Sequence, residues 1–361
     1  MNKKKIIAAG ALACCATGAF AQSAVTIYGI ADAAFVAERG GIAGNANKIV
    51  GGAASASRIG FRGNEDLGNG MAALFTLETG VRLDTGALDA ANTLFNRQAF
   101  VGLKTRAGTV TLGRQYTPWH NVLAQVADPF ATGYAGGSKN LFPDSGANVR
   151  TSNTIIYSAP TTAGFTGQLA YSLGEQAGSS KAGRQVGAAI GYAAGPLNVS
   201  LAYNNKNNQV VAAPGVTAVN RGSGRNTMLA ANYDFKVVRV YAAYNVDKGF
   251  NSAPLANTGN PFGDVAPTAS TDGNEILLGL SAPVGTGTVL ASVMHKDDKT
   301  AFNQDARSWG IGYLYPLSKR SNLYAAYGKV NNRNGAGYTV NNNSETGSGD
   351  SAFNLGVRHT F

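Results

Sequence analysis

Beyond Cys15 the chain has no cysteine. Its two cysteines, Cys14 and Cys15, both fall within the first fifteen residues. The remainder can hold neither a disulfide framework nor a thiolate metal site, so packing and backbone hydrogen bonding must stabilise it. Histidine is scarce, and His120, His295 and His359 show no ligand spacing. No metal and no cofactor is expected. Charge is sparse too, at 14% of residues. After the N-terminal stretch no window approaches the ~20 continuous apolar residues of a spanning helix. Catalytic signatures are missing as well. There is no Gly-x-Ser-x-Gly, and no histidine has an evident serine partner. Gly68-Asn69-Gly70-Met71-Ala72-Ala73 fits a loose dinucleotide fingerprint, but it follows Glu65-Asp66 and lacks a strand–turn–helix setting. Neither an enzyme nor a nucleic-acid partner is expected.

The N-terminus sets a compartment. Lys3, Lys4 and Lys5 precede an apolar stretch from Ile6 to Phe20, and Ala19-Phe20-Ala21 offers a small-x-small cleavage site. Residues 1–21 read as a secretory signal peptide, and 22–361 as the mature chain. A lipoprotein signal would use Cys14 or Cys15, but Ala11 stands where a bulky aliphatic is needed. Losing the three signal lysines lowers the formal charge of +10 by three, leaving a basic chain.

Glycine and tyrosine are abundant, 47 and 15 residues. Alternation is the dominant pattern. Phe353, Leu355, Val357, His359 and Phe361 share one face of a terminal strand; Asn354, Gly356, Arg358 and Thr360 share the other. A soluble protein rarely ends on an exposed apolar edge, whereas a closed membrane barrel pairs the strand on both sides and seats the aromatic at the lipid–water boundary. Phe165, Gly167, Leu169, Tyr171 and Leu173 repeat the pattern, as do Trp309, Ile311, Tyr313 and Tyr315. Such runs match the roughly 9–11 residues of a tilted spanning strand.

Connections alternate between short and long. Asp66–Gly70, Thr105–Gly108, Ala194–Pro196, Pro283–Thr286 and Pro316–Lys319 are turns; between them lie polar stretches at about 38–56, 83–95, 117–150, 205–225, 248–272, 297–306 and 331–350. Sixteen strands are expected, from 24–36 to 351–361. A two-domain sandwich would show a composition break and a β-helix a fixed repeat, and neither is present. The expected fold is an all-β, 16-stranded antiparallel transmembrane barrel.

Charged residues within strands should face water, because a charge toward lipid is costly. Arg58 and Arg62 oppose Ile59 and Phe61, and Asp32 opposes Ala31, Ala33 and Phe35. These three are expected on the lumen wall. Segment 117–150 exceeds thirty residues without alternation, which marks a functional or disordered loop. Its aromatics, Trp119, Phe130, Tyr134 and Phe142, argue against disorder. It is a candidate for folding inward, bringing its two carboxylates, Asp128 and Asp144, with Arg150 at its end.

Several runs resemble Gram-negative trimeric porins of the betaproteobacterial type. They are Val25-Thr26-Ile27-Tyr28-Gly29-Ile30-Ala31-Asp32, Ser57-Arg58-Ile59-Gly60-Phe61-Arg62-Gly63-Asn64-Glu65-Asp66-Leu67-Gly68, Asn96-Arg97-Gln98-Ala99-Phe100-Val101-Gly102-Leu103, Leu112-Gly113-Arg114-Gln115-Tyr116 and the Gly-Val-Arg-His-Thr-Phe end. The resemblance implies a homotrimer in the outer membrane, amid outer-membrane lipid and lipopolysaccharide, with the third loop, 117–150, folded inward as a constriction. It implies wall arginines facing acidic loop residues. Arg58 and Arg114 match two of them by motif. The third usually comes from the sixth strand, where Ser158 stands here and Arg150 lies nearer the loop. It implies that Phe361 is read by the outer-membrane assembly machinery. The expected function is passive diffusion of ions and small hydrophilic solutes with moderate anion preference. The alternatives are a substrate-specific channel and a surface adhesin or structural barrel.

Overall fold

A computed structural model describes residues 24–361. The signal-peptide reading of 1–21 lies outside the described residues. The chain forms one antiparallel sheet that closes on itself. Its first strands are β1 (Ala24–Arg39), β2 (Ala46–Gly51), β3 (Arg58–Gly68), β4 (Met71–Gly80), β5 (Gln98–Thr105) and β6 (Gly108–Tyr116). A long connection containing a short helix, α1 (Pro118–Val122), leads to β7 (Arg150–Ser158), β8 (Phe165–Ser172), β9 (Gln185–Ala194) and β10 (Leu197–Asn207). The series continues through β11 (Ser223–Asp234), β12 (Arg239–Ala253), β13 (Ser270–Val284) and β14 (Gly287–Asp298). It ends with β15 (Ala306–Pro316), β16 (Ser321–Asn332) and β17 (Ser351–Thr360).

These seventeen segments make sixteen staves. β2 and β3 are two halves of one stave: β2 pairs with Ala33–Glu38 of β1, and β3 with Ala24–Ile30. Residues 52–57 interrupt it. There Asp32 takes the place of the missing ladder. Its backbone oxygen accepts from Gly52 N–H and Ser57 Oγ–H, and its carboxylate accepts from Ser55 N–H at 3.0 Å. The sequence placed 38–56 in a loop; the loop in fact contains β2. Strands β12 and β13 likewise run beyond their expected ends into 248–272. Apolar alternation is lost there, so the pattern that revealed the spanning strands could not mark these extensions.

Closure is made by the last residues. β17 pairs with Ile30–Arg39 of β1, and Phe361 exchanges two 3.1 Å backbone bonds with Gly29. No Cβ fits at Gly29, where it would lie 2.4 Å from the Phe361 ring. With every stave paired on both sides, no edge faces lipid, which is the condition for a sheet to span a bilayer. The outward face is apolar: Leu169 is 62% exposed, Ile190 57% and Leu355 53%. Outward aromatics gather near the short turns, with Phe165 on Tyr192 at 4.7 Å and Tyr233 on Phe235 at 4.5 Å. The opposite face carries the buried polar residues, among them Asn204, Asn226, Asn245 and Asn354. Among the described residues no helix is long and apolar enough to cross a membrane.

Candidate functional site

The segment after β6 binds that polar face around much of the sheet. Trp119 Nε1–H donates to Asn245 Oδ1 at 3.1 Å on β12. Asn232 of β11 donates to Val126 O at 2.9 Å, and Ser292 of β14 to Gly136 O at 2.8 Å. Ala135 N–H reaches Asn354 Oδ1 of β17 at 2.6 Å. Backbone meets backbone at Gly310 and Gly328. A Cβ on Gly310 would lie 2.2 Å from Gly136 Cα, and one on Gly328 2.0 Å from Ala135 O. Gly310→Val is therefore expected to push residues 135–137 off β15 while leaving the barrel closed. Faster protease nicking within 117–150 at unchanged barrel mobility in cold SDS gels is the readout; unchanged nicking would refute the clash.

A cavity of about 900 Å³ opens beside this segment, bordered by the 52–57 break, β3, β6, β7 and the residues before β5. Arg58, Arg97, Arg114, Lys139 and Arg150 line it, against the two carboxylates Asp89 and Asp144. Cations therefore dominate its field. Tyr116 sits at the centre of the cluster. Its hydroxyl accepts from Arg97 Nη2 at 2.5 Å and from Arg150 Nη2 at 2.6 Å, and the Arg150 guanidinium lies 4.3 Å over its ring. Glu78 of β4 anchors the arginines from behind. It accepts from Arg97 Nε at 2.8 Å and Tyr28 Oη at 3.0 Å, with Arg58 3.8 Å away.

α1 positions an imidazole beside this cluster. Thr117 caps it, accepting from His120 N–H at 3.1 Å, and Pro118 suits the first turn. The His120 ring stacks on Tyr116 at 4.9 Å and 10°, and its Nδ1 lies 2.6 Å from Asp144 Oδ1. Burial alone would raise the Asp144 carboxyl, but His120, Lys139 and Arg150 together hold it below its ordinary value. Burial lowers the Lys139 ammonium; its Nζ–H donates to Asn343 O at 2.7 Å.

Of the seven residues expected at the pore, Arg58, Arg114, Asp144 and Arg150 meet at this cavity. Arg114 lies within a register shift between Gly113 and Gln115 and donates to Asn96 O at 2.6 Å and Ser152 Oγ at 3.0 Å. Arg62 stands apart, over the Tyr28 ring at 5.1 Å. Asp32 and Asp128 are corrected: neither borders the cavity. Asp32 is 0% exposed because the 52–57 break covers it, and Tyr324 Oη–H donates to it at 2.6 Å. Asp128 is 4% exposed and spends its carboxylate on loop backbone, accepting from Phe130 N–H at 2.8 Å, Thr132 N–H at 2.9 Å and Ser138 N–H at 2.7 Å. Burial pushes that carboxyl above its ordinary value despite these donors.

Sequence reasoning missed Arg97, Glu78, Tyr116, His120 and Lys139. Arg97 shares parity with outward Val101 and Leu103, yet β5 starts only at Gln98, so alternation does not govern it. Glu78 did carry a signal, a lone carboxylate in an otherwise neutral strand. A further correction concerns His359, which has a serine partner, Ser321 Oγ at 2.8 Å from Nδ1. No carboxylate bonds that imidazole among the described residues. Nor do three side chains there form a metal-holding group.

A family profile described as Gram-negative porin matches residues 8–335. The chain belongs to the Gram-negative porin family. An outer membrane porin protein of Bordetella pertussis is 31% identical over 99% of this chain and all of its own length. Outer membrane porin protein 32 of Delftia acidovorans is also 31% identical, over 99% of this chain and all of its own. Among solved structures, the anion-selective porin from Comamonas acidovorans aligns at a TM-score of 0.75 and 27% identity, covering 94% of this chain and all of that one. This porin is an outer-membrane barrel of a family of channels rather than enzymes.

Proposed function

We propose that this porin is a general diffusion channel with moderate anion preference, and that segment 117–150 is its constriction loop. The observation that carries the reading is the cavity wall, where five cationic side chains face two carboxylates beside the loop. The anion-selective porin aligned above supports it by likeness. Arg58, Arg97, Arg114 and Arg150 set the field together, with Asp144 as the loop carboxylate. Asp32 and Asp128 hold the walls and loop in place. The mature chain starts at Gln22, after a signal peptide of residues 1–21. Three copies assemble among outer-membrane lipid and lipopolysaccharide, and Phe361 serves as the signal to the assembly machinery. Small hydrophilic molecules and ions cross down their gradients.

Reversal potentials in a planar bilayer under a KCl gradient test this. The wild type should favour chloride, with openings arriving in threes. Arg150→Ser removes a cation that has no salt-bridge partner among the described residues. Arg97→Ser leaves Glu78 with Arg58 and Tyr28. A unit charge ~8 Å away through water changes the local level of each ion roughly two- to threefold, in opposite directions for chloride and potassium, so each lost cation shifts their ratio about fivefold before salt screening, and the double variant should lose at least about fivefold in chloride preference. Unchanged potentials would refute the site. Saturable block by one solute would instead identify a substrate-specific channel.

A further inference from the structure

We propose that this channel sorts solutes in two steps, and that Asn121, Gln125, Ser158 and Gln168 form the second: an uncharged neck that limits size, where the cationic cavity selects charge. The proposal rests on the constriction reading above and adds four residues that reading does not use.

A second cavity, of about 410 Å³, adjoins the first. The cationic cavity reaches the long connections at Leu255 and Ser344. The second reaches Ala193 and Asn198, a register pair astride the short turn at 194–196. The two therefore follow one another along the barrel axis. The side chains that border both are Asn121, Gln125, Ser158 and Gln168. Among the described residues no charged side chain lines the second cavity; Thr166, Asn198 and Ser200 add polar groups to those of the neck.

The neck is built from two opposed surfaces. Residues 118–127 are helical throughout, α1 passing into one wider turn at Leu123–Ala127. Asn121 and Gln125 stand four residues apart, so they share a face of it. Trp119 and Leu123, both 0% exposed, belong to its buried side. That side is tied to the barrel, by Trp119 to Asn245 of β12 at 3.1 Å and by Asn232 of β11 to Val126 O at 2.9 Å. On the wall, Ser158 of β7 and Gln168 of β8 are directly paired, and Gln168 Nε2–H donates to Ser158 Oγ at 3.2 Å. Both surfaces are thus held in place. Carboxamides and hydroxyls donate as well as accept, so they can replace water around a solute of either charge or none. They bring no net charge. An anion drawn in by the guanidiniums meets no further cation at the neck and is released toward the short turns, and conduction requires such release. Charge is read before the neck and size within it.

The test uses single cysteines. Beyond Cys15 the chain has none, so a thiol placed at the neck is the sole target in the mature channel. Ser158→Cys channels are recorded in a planar bilayer before and after benzyl methanethiosulfonate, a bulky neutral reagent. The adduct should lower single-channel conductance at least about twofold and leave the chloride-to-potassium permeability ratio where it stood. Gln125→Cys should respond alike from the loop side, which covers the case of one variant failing to fold. The same adduct on Asn198→Cys, inside the second cavity, should cost less conductance. Neck thiols that stay unreacted in the folded channel would overturn the proposal. So would unchanged conductance after reaction, or a larger loss at Asn198. A permeability ratio that falls with the conductance would also overturn it, because size and charge would then be read at one place. Arg150→Ser judges the constriction reading separately. If that variant loses chloride preference while the neck adducts leave conductance unchanged, the neck alone fails. If it keeps its preference, the constriction reading fails whatever the adducts show.

Discussion

Asp128→Ala is expected to give a channel of larger conductance and weaker ion preference inside an intact barrel. The residue stands at a point of concentrated backbone strain. Ala131, Thr132 and Tyr134 all adopt positive φ, at 51°, 63° and 57°. Non-glycine residues in that region cost roughly 1–3 kcal/mol each, and a β-branched threonine is a genuine outlier. Something must hold them there. The Asp128 carboxylate does, through its bonds to the N–H groups of Phe130, Thr132 and Ser138. Alanine orphans all three donors at roughly 1–3 kcal/mol apiece. The strain then has no counterweight, and residues 128–138 relax. Phe130 and Tyr134 lose the packing in which Tyr134 meets Tyr324 edge-on at 5.1 Å. Asp128→Asn keeps an acceptor oxygen and should fall between the two. Single-channel conductance decides the matter, with cold SDS-gel mobility reporting the barrel. A wild-type conductance in Asp128→Ala would refute the account.

That prediction concerns a residue whose place the sequence signals but whose task it does not. Loop carboxylates opposite wall arginines look like pore-lining charges. Asp144 borders the cavity with its carboxylate on His120, while Asp128 folds the loop on itself. The difference lies in which backbone donors fold back onto each carboxylate, and no spacing rule encodes that. Asp32 repeats the lesson on the wall. Its parity put it on the polar face, where it stands, yet the 52–57 break covers it, and the break is visible only once β2 and β3 are seen to share a stave. The barrel itself was legible because lipid enforces the alternation on nearly every spanning strand, to the final Phe361. The cluster at Tyr116 was not. Arg97 precedes its strand, and Arg114 lies within a shift where Gly113 takes φ 135°, so parity misplaces one arginine and leaves the other ambiguous. Period-two reasoning fails where the ladder is irregular, and irregular ladder is what brings side chains from neighbouring strands to one point.

Lys296→Met should destabilise the barrel itself, where Asp128→Ala loosens only the loop. Lys296 of β14 lies directly across from Glu275 of β13, and its Nζ bonds that carboxylate and Asp247 Oδ2 of β12, the latter at 2.9 Å. All three side chains are 0% exposed. Methionine fills the space but leaves two carboxylates side by side with no cation. Breaking a buried ion pair in this way costs about 3–5 kcal/mol. The neutral donors cannot compensate. Asn245 already gives its amide to both carboxylates, at 2.8 and 2.6 Å, and Asn226 gives to Asp247 at 2.6 Å. The damage should spread to the loop, because the Asn245 oxygen holds Trp119. With only two tryptophans in the chain, a Trp309→Phe background isolates Trp119 emission, which should shift as its indole loses that bond. The decisive comparison adds Asp247→Asn and Glu275→Gln. If charge imbalance is the cause, removing all three charges restores most of the unfolding temperature lost by Lys296→Met alone, read from the heat-dependent gel shift. If packing is the cause, the triple variant is no more stable than the single one. The cluster would then be a space-filler whose charges contribute nothing to holding three staves and the loop together.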